Sequence, residues 1–136
     1  MGVLIDTSVL VATERQSVDW DVLLGRSVEL DEDEPVALAA ISAAELLHGV
    51  QRLKGVAHAR ASLYVELLLE QIPIRAYDVA VARVHAVLSA ALSAKGTAVG
   101  AHDLIIAATA VTLGYDVATR DLRSFPKIQG LRVRRW

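Results

Sequence analysis

The chain contains no cysteine. Disulfides and thiolate metal centres are therefore excluded, and the redox compartment stays open. Aromatic residues make up only 4% of the sequence. The core must be built from Ala, Val, Leu and Ile, and platforms for stacking bare nucleobases are scarce. The four histidines, His48, His58, His85 and His102, include no His-x-x-x-His pair, which disfavours a histidine zinc site. The longest uncharged run, from Leu104 to Tyr115, is too short for the roughly 20 apolar residues of a membrane span. The N-terminus lacks a basic n-region, and Asp6 interrupts its apolar start, so no signal peptide is expected. Asp at position 6 also breaks the myristoylation pattern that Gly2 would open. A soluble, cytoplasmic protein is expected.

What is present is a greasy chain of 136 residues, 54% hydrophobic and 22% charged. That balance argues against disorder and for a single domain, residues 1–136, with one sizeable core. A mean hydropathy of +0.41 is high for a small monomer, so a dimer or a tight partner is expected to cover apolar surface. The net charge of −2 says little, but its distribution is uneven. Residues 1–50 carry ten acids and two bases, whereas residues 120–136 carry six bases and the single acid Asp121. A basic tail beside an acidic pocket suits a polyanion gripped near a metal centre, although surface arginines on a solvated strand also satisfy the pattern.

Apolar runs and breakers predict alternating strands and helices. Strands are expected at Gly2–Ile5, Val36–Ala40, Ile72–Ala76, Asp116–Thr119 and Leu131–Arg134. Helices are expected at Val9–Glu14, Ser17–Leu30, Ser42–Leu53, Ala57–Gln71, Asp78–Lys95 and His102–Leu113. Thr7 or Ser8 would cap the first of these, Asp78 would cap the fifth, and Gly55, Gly96 and Gly114 would end helices. The acidic run Asp31-Glu32-Asp33-Glu34 before Pro35 reads as a solvated loop. Alternation of this kind predicts an α/β fold, a three-layer α/β/α sandwich around a mainly parallel sheet. The adjacent helices 42–53 and 57–71 are expected to form a hairpin available to a partner.

Four acids stand at the ends of these elements: Asp6, Glu45, Asp103 and Asp121. In open parallel sheets ligands gather beyond the carboxyl ends of the strands, and all four can face that edge. Clustered carboxylates resist joint ionisation unless a cation joins them, and Mg²⁺ or Mn²⁺ takes such oxygen ligands. Each acid also has a purely structural explanation. Glu45 completes the capping box Ser42-x-x-Glu45, Asp103 favours a helix N-terminus, and Asp121 suits a turn. Asp6, directly after a buried strand, has little packing value and is the hardest to explain structurally. Thr7, Ser8 and Thr119 could orient carboxylates or act as backbone caps. His48 and His102 read as partly buried structural histidines, and Asp116 should lie at the edge opposite the site.

The chain resembles the PIN-domain ribonucleases, in particular the toxins of VapBC-type toxin–antitoxin pairs. The resemblance is carried by Leu4-Ile5-Asp6-Thr7-Ser8-Val9-Leu10, Ser42-Ala43-Ala44-Glu45-Leu46-Leu47-His48-Gly49, Gly100-Ala101-His102-Asp103-Leu104-Ile105-Ile106-Ala107-Ala108-Thr109-Ala110 and Thr119-Arg120-Asp121-Leu122-Arg123-Ser124-Phe125. The closing Gly130-Leu131-Arg132-Val133-Arg134-Arg135-Trp136 also matches. The resemblance implies a central parallel sheet and a site with one or two Mg²⁺ or Mn²⁺ ions. It further implies RNA as substrate, restraint by a small antitoxin whose C-terminal arm blocks the pocket, and a homodimer. Asp6, Glu45, Asp103 and Asp121 fall on the family's acidic positions, with Asp121 where many members carry Asn.

In metal-assisted phosphodiester hydrolysis, Asp6 and Asp103 are the expected main ligands, and Asp121 completes the set. Glu45 is expected to orient or deprotonate the attacking water. Arg120 and Arg123 are expected to hold substrate phosphates, or else to pair with Asp121 or meet solvent. Two other readings stand beside this one. A non-catalytic RNA- or partner-binding module would keep the fold but take up no Mn²⁺ through its carboxylates. A receiver-like signalling domain would need an adjacent acid pair and a lysine after a late strand, where the sequence has Thr119-Arg120.

Overall fold

The computed structural model describes residues 1–15, 30 and 33–136. The helix predicted at Ser17–Leu30 and the acids at 31 and 32 lie outside the described residues. Five strands form one sheet: β1 (Val3–Ile5), β2 (Val36–Ala39), β3 (Ile74–Arg75), β4 (Asp116–Thr119) and β5 (Val133–Arg135). Their order is β3-β2-β1-β4-β5, and every pairing is parallel. The helices are α1 (Thr7–Arg15), α2 (Ala40–Gln51), α3 (Gly55–Gln71), α4 (Val79–Ala94) and α5 (Ala101–Leu113), and a 3-10 turn spans Phe125–Lys127. Among the described residues no helix is long and apolar enough to cross a membrane.

Side chains alternate across a strand, so the central strands feed both faces of the sheet. Leu4, Ala37, Ala39 and Val117 join a cluster with Leu92 of α4, with Ile106 and Ala110 of α5, and with Phe125. Ile5 and Leu38 point to the other face. There they pack with Val9 and Leu10 of α1, Leu46 and Val50 of α2, and Ala61, Val65 and Leu68 of α3. The three-layer arrangement follows: α4 and α5 cover one face, and α1, α2 and α3 the other. Parallel strands buried on both faces read as continuous apolar runs, which is how β1 and β2 appear in the sequence.

Several boundaries differ from expectation, each for a local reason. β3 is two residues long rather than five. Pro73 has no amide to give and serves only as an acceptor, through its carbonyl, for Leu38 N at 2.9 Å. Helix α2 starts at Ala40, two residues early, so Ser42 lies inside it, fully buried, with no partner for its hydroxyl. The capping box with Glu45 therefore does not form. Gly55 does not close α2 but opens α3 at a φ of 62°, and α2 ends through Arg52 N bonding back to Gly49 O. Thr7 and Ser8 do not cap α1, which already starts at Thr7, whereas Asp78 caps α4 as expected by accepting Val81 N at 3.0 Å. Gly114 adopts φ 68° as α5 closes through Tyr115 N to Ala110 O.

Glu34 also corrects an expectation. It does not sit in a solvated loop, because its carboxylate receives the guanidinium of Arg134 and is 8% exposed. Arg134 also donates through Nε to Asp116 Oδ2 at 2.8 Å. This cluster ties the start of β4 to β5, at the end of the sheet opposite the one where β1 delivers Asp6.

Candidate active site

The site begins where β1 ends. Asp6 N is held by Ala118 O of β4 at 2.9 Å, so the register of two central strands fixes its Cα. Its side chain is buried, at 4% exposure. Two hydroxyls donate to the same carboxylate oxygen: Ser8 Oγ to Oδ2 at 2.6 Å and Thr119 Oγ1 to Oδ2 at 2.8 Å. Neither hydroxyl is an isolated contact. Thr119 Oγ1 also accepts Asp121 N at 2.8 Å, and Ser8 Oγ accepts Arg120 N at 3.2 Å. The two strand ends are thus knotted around one oxygen of Asp6.

Helix α1 begins at Thr7, so Thr7 and Ser8 lie in its first turn, and their hydroxyls contact Glu45 and Asp6. Thr7 Oγ1 donates to Glu45 Oε1 at 3.3 Å. His102 Nδ1 stands 3.7 Å from the same oxygen. His102 is 56% exposed, which overturns its expected structural role, and His48 is exposed as well. Asp103 occupies the first turn of α5, the helix end that favours an anion. A Cβ at Gly100 would stand 3.6 Å from Asp103 Oδ2, so the carboxylate folds back over the helix entrance.

The other three acids all bear on Asp103. Burial raises the Asp103 carboxyl above its usual range, and the charges of Asp6, Asp121 and Glu45 push it the same way. A hydrogen bond from the Ser124 hydroxyl opposes them. Asp121 behaves in the opposite manner. Its pKa is lowered, chiefly because Arg123 N donates to Oδ1 at 2.8 Å. The turn reading of Asp121 is therefore correct as structure, while its charge still acts on Asp103. The Arg123 guanidinium lies 3.7 Å from that same Oδ1, so Arg123 pairs with Asp121; the Arg120 residue is exposed.

Among the described residues no three carboxylate or imidazole groups stand close enough, as they are, to hold a metal ion. Burial first, and then the charge of Asp6, raise the Asp103 carboxyl, so its ionised form is disfavoured without a nearby positive charge. The donor set itself is all oxygen and anionic, which suits a hard divalent cation. Ser124 was not singled out from sequence. Its hydroxyl interacts with both Asp103 and Asp121, and its amide with Asp121. The signal that could have found it is Asp121-x-x-Ser124, an acid followed at turn spacing by a hydroxyl.

Comparison with known proteins agrees with this fold. The PIN domain matches residues 3–131. Ribonuclease VapC1 of Rickettsia felis is 29% identical over 134 residues, covering 98% of this chain and 95% of its own length. The tRNA(fMet)-specific endonuclease VapC of Salmonella typhimurium is 33% identical over 101 residues, covering 74% of this chain and 75% of its own. The crystal structure of DNA-bound VapBC from Salmonella typhimurium superimposes with a TM-score of 0.85 at 27% identity, covering all of this chain and 98% of that one. A parallel sheet in the order observed, carboxylates gathered beyond its strand ends and a match over nearly the whole length make this chain a member of the PIN-domain family.

Proposed function

We propose that this single-domain chain is a ribonuclease toxin of the VapBC type, acting in the cytoplasm and restrained by a cognate antitoxin. The observation that carries the reading is Asp103, whose carboxyl feels burial together with Asp6, Asp121 and Glu45. Three carboxylates acting on a fourth, partly buried one at the mouth of a parallel sheet are a costly arrangement without a cation. Asp6 and Asp103 would hold Mg²⁺ or Mn²⁺, with Asp121 completing the set. Such an ion supplies charge relief at phosphate oxygens and a more acidic bound water.

The chain's own residues do the rest. Glu45, fixed at Oε1 by Thr7 and neighboured by His102, orients the attacking water and takes its proton. The water oxygen bonds to phosphorus, the bond to the departing nucleoside oxygen breaks, and that oxygen is protonated from solvent. Ser8, Thr119 and Ser124 hold the carboxylates in place. Arg120 is the better candidate for a substrate phosphate, because Arg123 is shared with Asp121. Among the described residues, a groove of about 400 Å³ lined by Val11, Leu46, Val50 and Val65 runs beside Glu14 and Glu45. It supports an antitoxin segment that combines an apolar side chain with a basic one. A homodimer belongs to the same reading.

The test is cleavage of a fluorogenic RNA by purified protein in Mg²⁺ or Mn²⁺. Asp6→Asn and Asp103→Asn are expected to lose at least roughly 10³-fold in rate, equivalent to about 4 kcal/mol. A chelator should abolish wild-type cleavage. Folded variants that cut at the wild-type rate would overturn the assignment.

A further inference from the structure

The bases of residues 120–136 separate into two groups. Arg132 and Arg134 serve Asp116 and Glu34 at the far end of the sheet, and Arg123 stands beside Asp121. Arg120, Lys127 and Arg135 are exposed, and among the described residues none of their side chains forms an ion pair. Of these three, Arg135 is tied to the site by strand register.

Strands β1, β4 and β5 are neighbours with a fixed pairing. Ile5 stands beside Ala118, so the next step along both chains sets Asp6 beside Thr119. Thr119 in turn stands beside Arg135, and Trp136 N bonds to Thr119 O at 3.0 Å just beyond it. Asp6, Thr119 and Arg135 therefore form one row at the carboxyl edge of the sheet. Side chains alternate along a strand, so the members of a row share a face. Leu4, Val117 and Val133, two residues earlier in each case, all pack on the α4–α5 side. The row points to that side too, where the first turn of α5 carries Asp103. The bond from Thr119 Oγ1 to Asp6 Oδ2 at 2.8 Å is the inner half of the row. Two strand spacings of about 4.8 Å separate Asp6 from Arg135, roughly 10 Å between backbones.

The other face of the sheet is unsuited to a polyanion. There Glu14 and Glu45 border the groove lined by Val11, Leu46, Val50 and Val65, and their charge repels phosphate. We infer that Arg135, together with Arg120, forms a phosphate track that carries the RNA strand away from the carboxylates across β4 and β5. Arg120 N is held by Ser8 Oγ at 3.2 Å, the same hydroxyl that donates to Asp6. The inference rests on the ribonuclease reading above and adds the side on which the substrate lies. Arg135 meets a phosphate beside the scissile one, so it reads no base and serves binding rather than bond breaking.

Steady-state cleavage of a short fluorogenic RNA by the full chain in Mg²⁺, over about 50–300 mM KCl, tests this. Arg135→Ala should raise KM at least about fivefold, equally for RNAs of different sequence, and leave kcat within about twofold. The slope of log kcat/KM against log salt should flatten by about 0.7, the share of one phosphate on a single strand. Arg135→Lys should keep most of that slope. Arg83→Ala, which removes an exposed charge on α4, should change neither parameter. Binding is read separately by fluorescence anisotropy of the same RNA on Asp103→Asn, where adding Arg135→Ala should weaken the complex by the same factor. A wild type that neither binds nor cleaves RNA would overturn the ribonuclease reading and the track together. Binding that depends on Arg135 without any cleavage would overturn the ribonuclease reading and leave the track standing. Wild-type cleavage with KM and salt slope unchanged in Arg135→Ala would overturn the track alone, and would leave Arg135 to an acidic protein partner.

Discussion

Asp6 and Asp116 are both 4% exposed; Asp6 follows the end of β1 and Asp116 begins β4, at opposite ends of the sheet. Their surroundings differ in kind. Asp116 receives Arg134 Nε at 2.8 Å and has Arg132 Nε at 3.7 Å, and Arg134 binds Glu34 as well. Among the described residues, the Asp6 carboxylate receives two neutral hydroxyls. Hydrogen bonding to Glu34, followed by that to Asp116, holds Arg134 firmly protonated. At the other end no arginine or lysine is paired with Asp6, Glu45 or Asp103 among the described residues. Among the described residues, one end of the sheet carries its own counter-charge, whereas at the other only Asp121 has a basic partner, Arg123. A buried carboxylate therefore marks a site only where the protein supplies no fixed positive charge of its own.

Removing the built-in cation is the strongest way to break this comparison. Arg134→Leu leaves Glu34 and Asp116 buried without their shared partner. It should cost about 2–4 kcal/mol, toward the low side for a broken buried pair because Arg134 is 26% exposed. Denaturant unfolding would read this loss, while the protein that remains folded should cleave RNA as wild type does. Loss of cleavage in that folded fraction would mean the two ends are not independent.

A smaller effect is expected from the hydroxyl that links Asp6 to the loop after β4. Thr119→Val keeps the shape but removes the oxygen shared by Asp6 and Asp121 N. We expect kcat/KM to fall roughly 10–100-fold with the thermal transition largely kept. An unchanged kcat/KM would reduce Thr119 to packing.

The smallest effect concerns stability. The Asp103 carboxyl has a raised folded-state pKa, so its contribution is most favourable below its ordinary value of 3.8 and is lost as pH rises through the raised one. In chelator at neutral pH, Asp103→Asn should therefore melt roughly 2–5 °C above wild type. That advantage should vanish as the pH falls below 3.8. Added Mg²⁺ should raise the melting temperature of the wild type but not of the variant. Identical melting of the two proteins at every pH would show that Asp103 bears no strain.

The alternation of apolar runs with breakers was enough to read the parallel sheet. Strands such as Val3–Ile5 and Val36–Ala39 are buried on both faces and leave a continuous apolar signature. Asp6 was legible for the same reason, because a charge directly after such a run has no packing purpose. Glu45 was harder to judge, since Ser42-x-x-Glu45 imitates a helix cap and only the early start of α2 at Ala40 removes that explanation. Tertiary pairing was not legible. Nothing local to Glu34 shows that Arg134, a hundred residues away, will neutralise it, and nothing local to His102 shows Glu45. Ser124 escaped because a hydroxyl acquires meaning only when two carboxylates from different elements meet it.

The bond from Thr119 to Asp6 joins residues 113 apart. A ribosome making this chain therefore exposes Asp6 well before Thr119, and cannot anchor it until β4 has left the exit tunnel. Every copy stopped short of β4 lacks the latch, so Asp6 is unanchored in it and Asp121 is missing from the site.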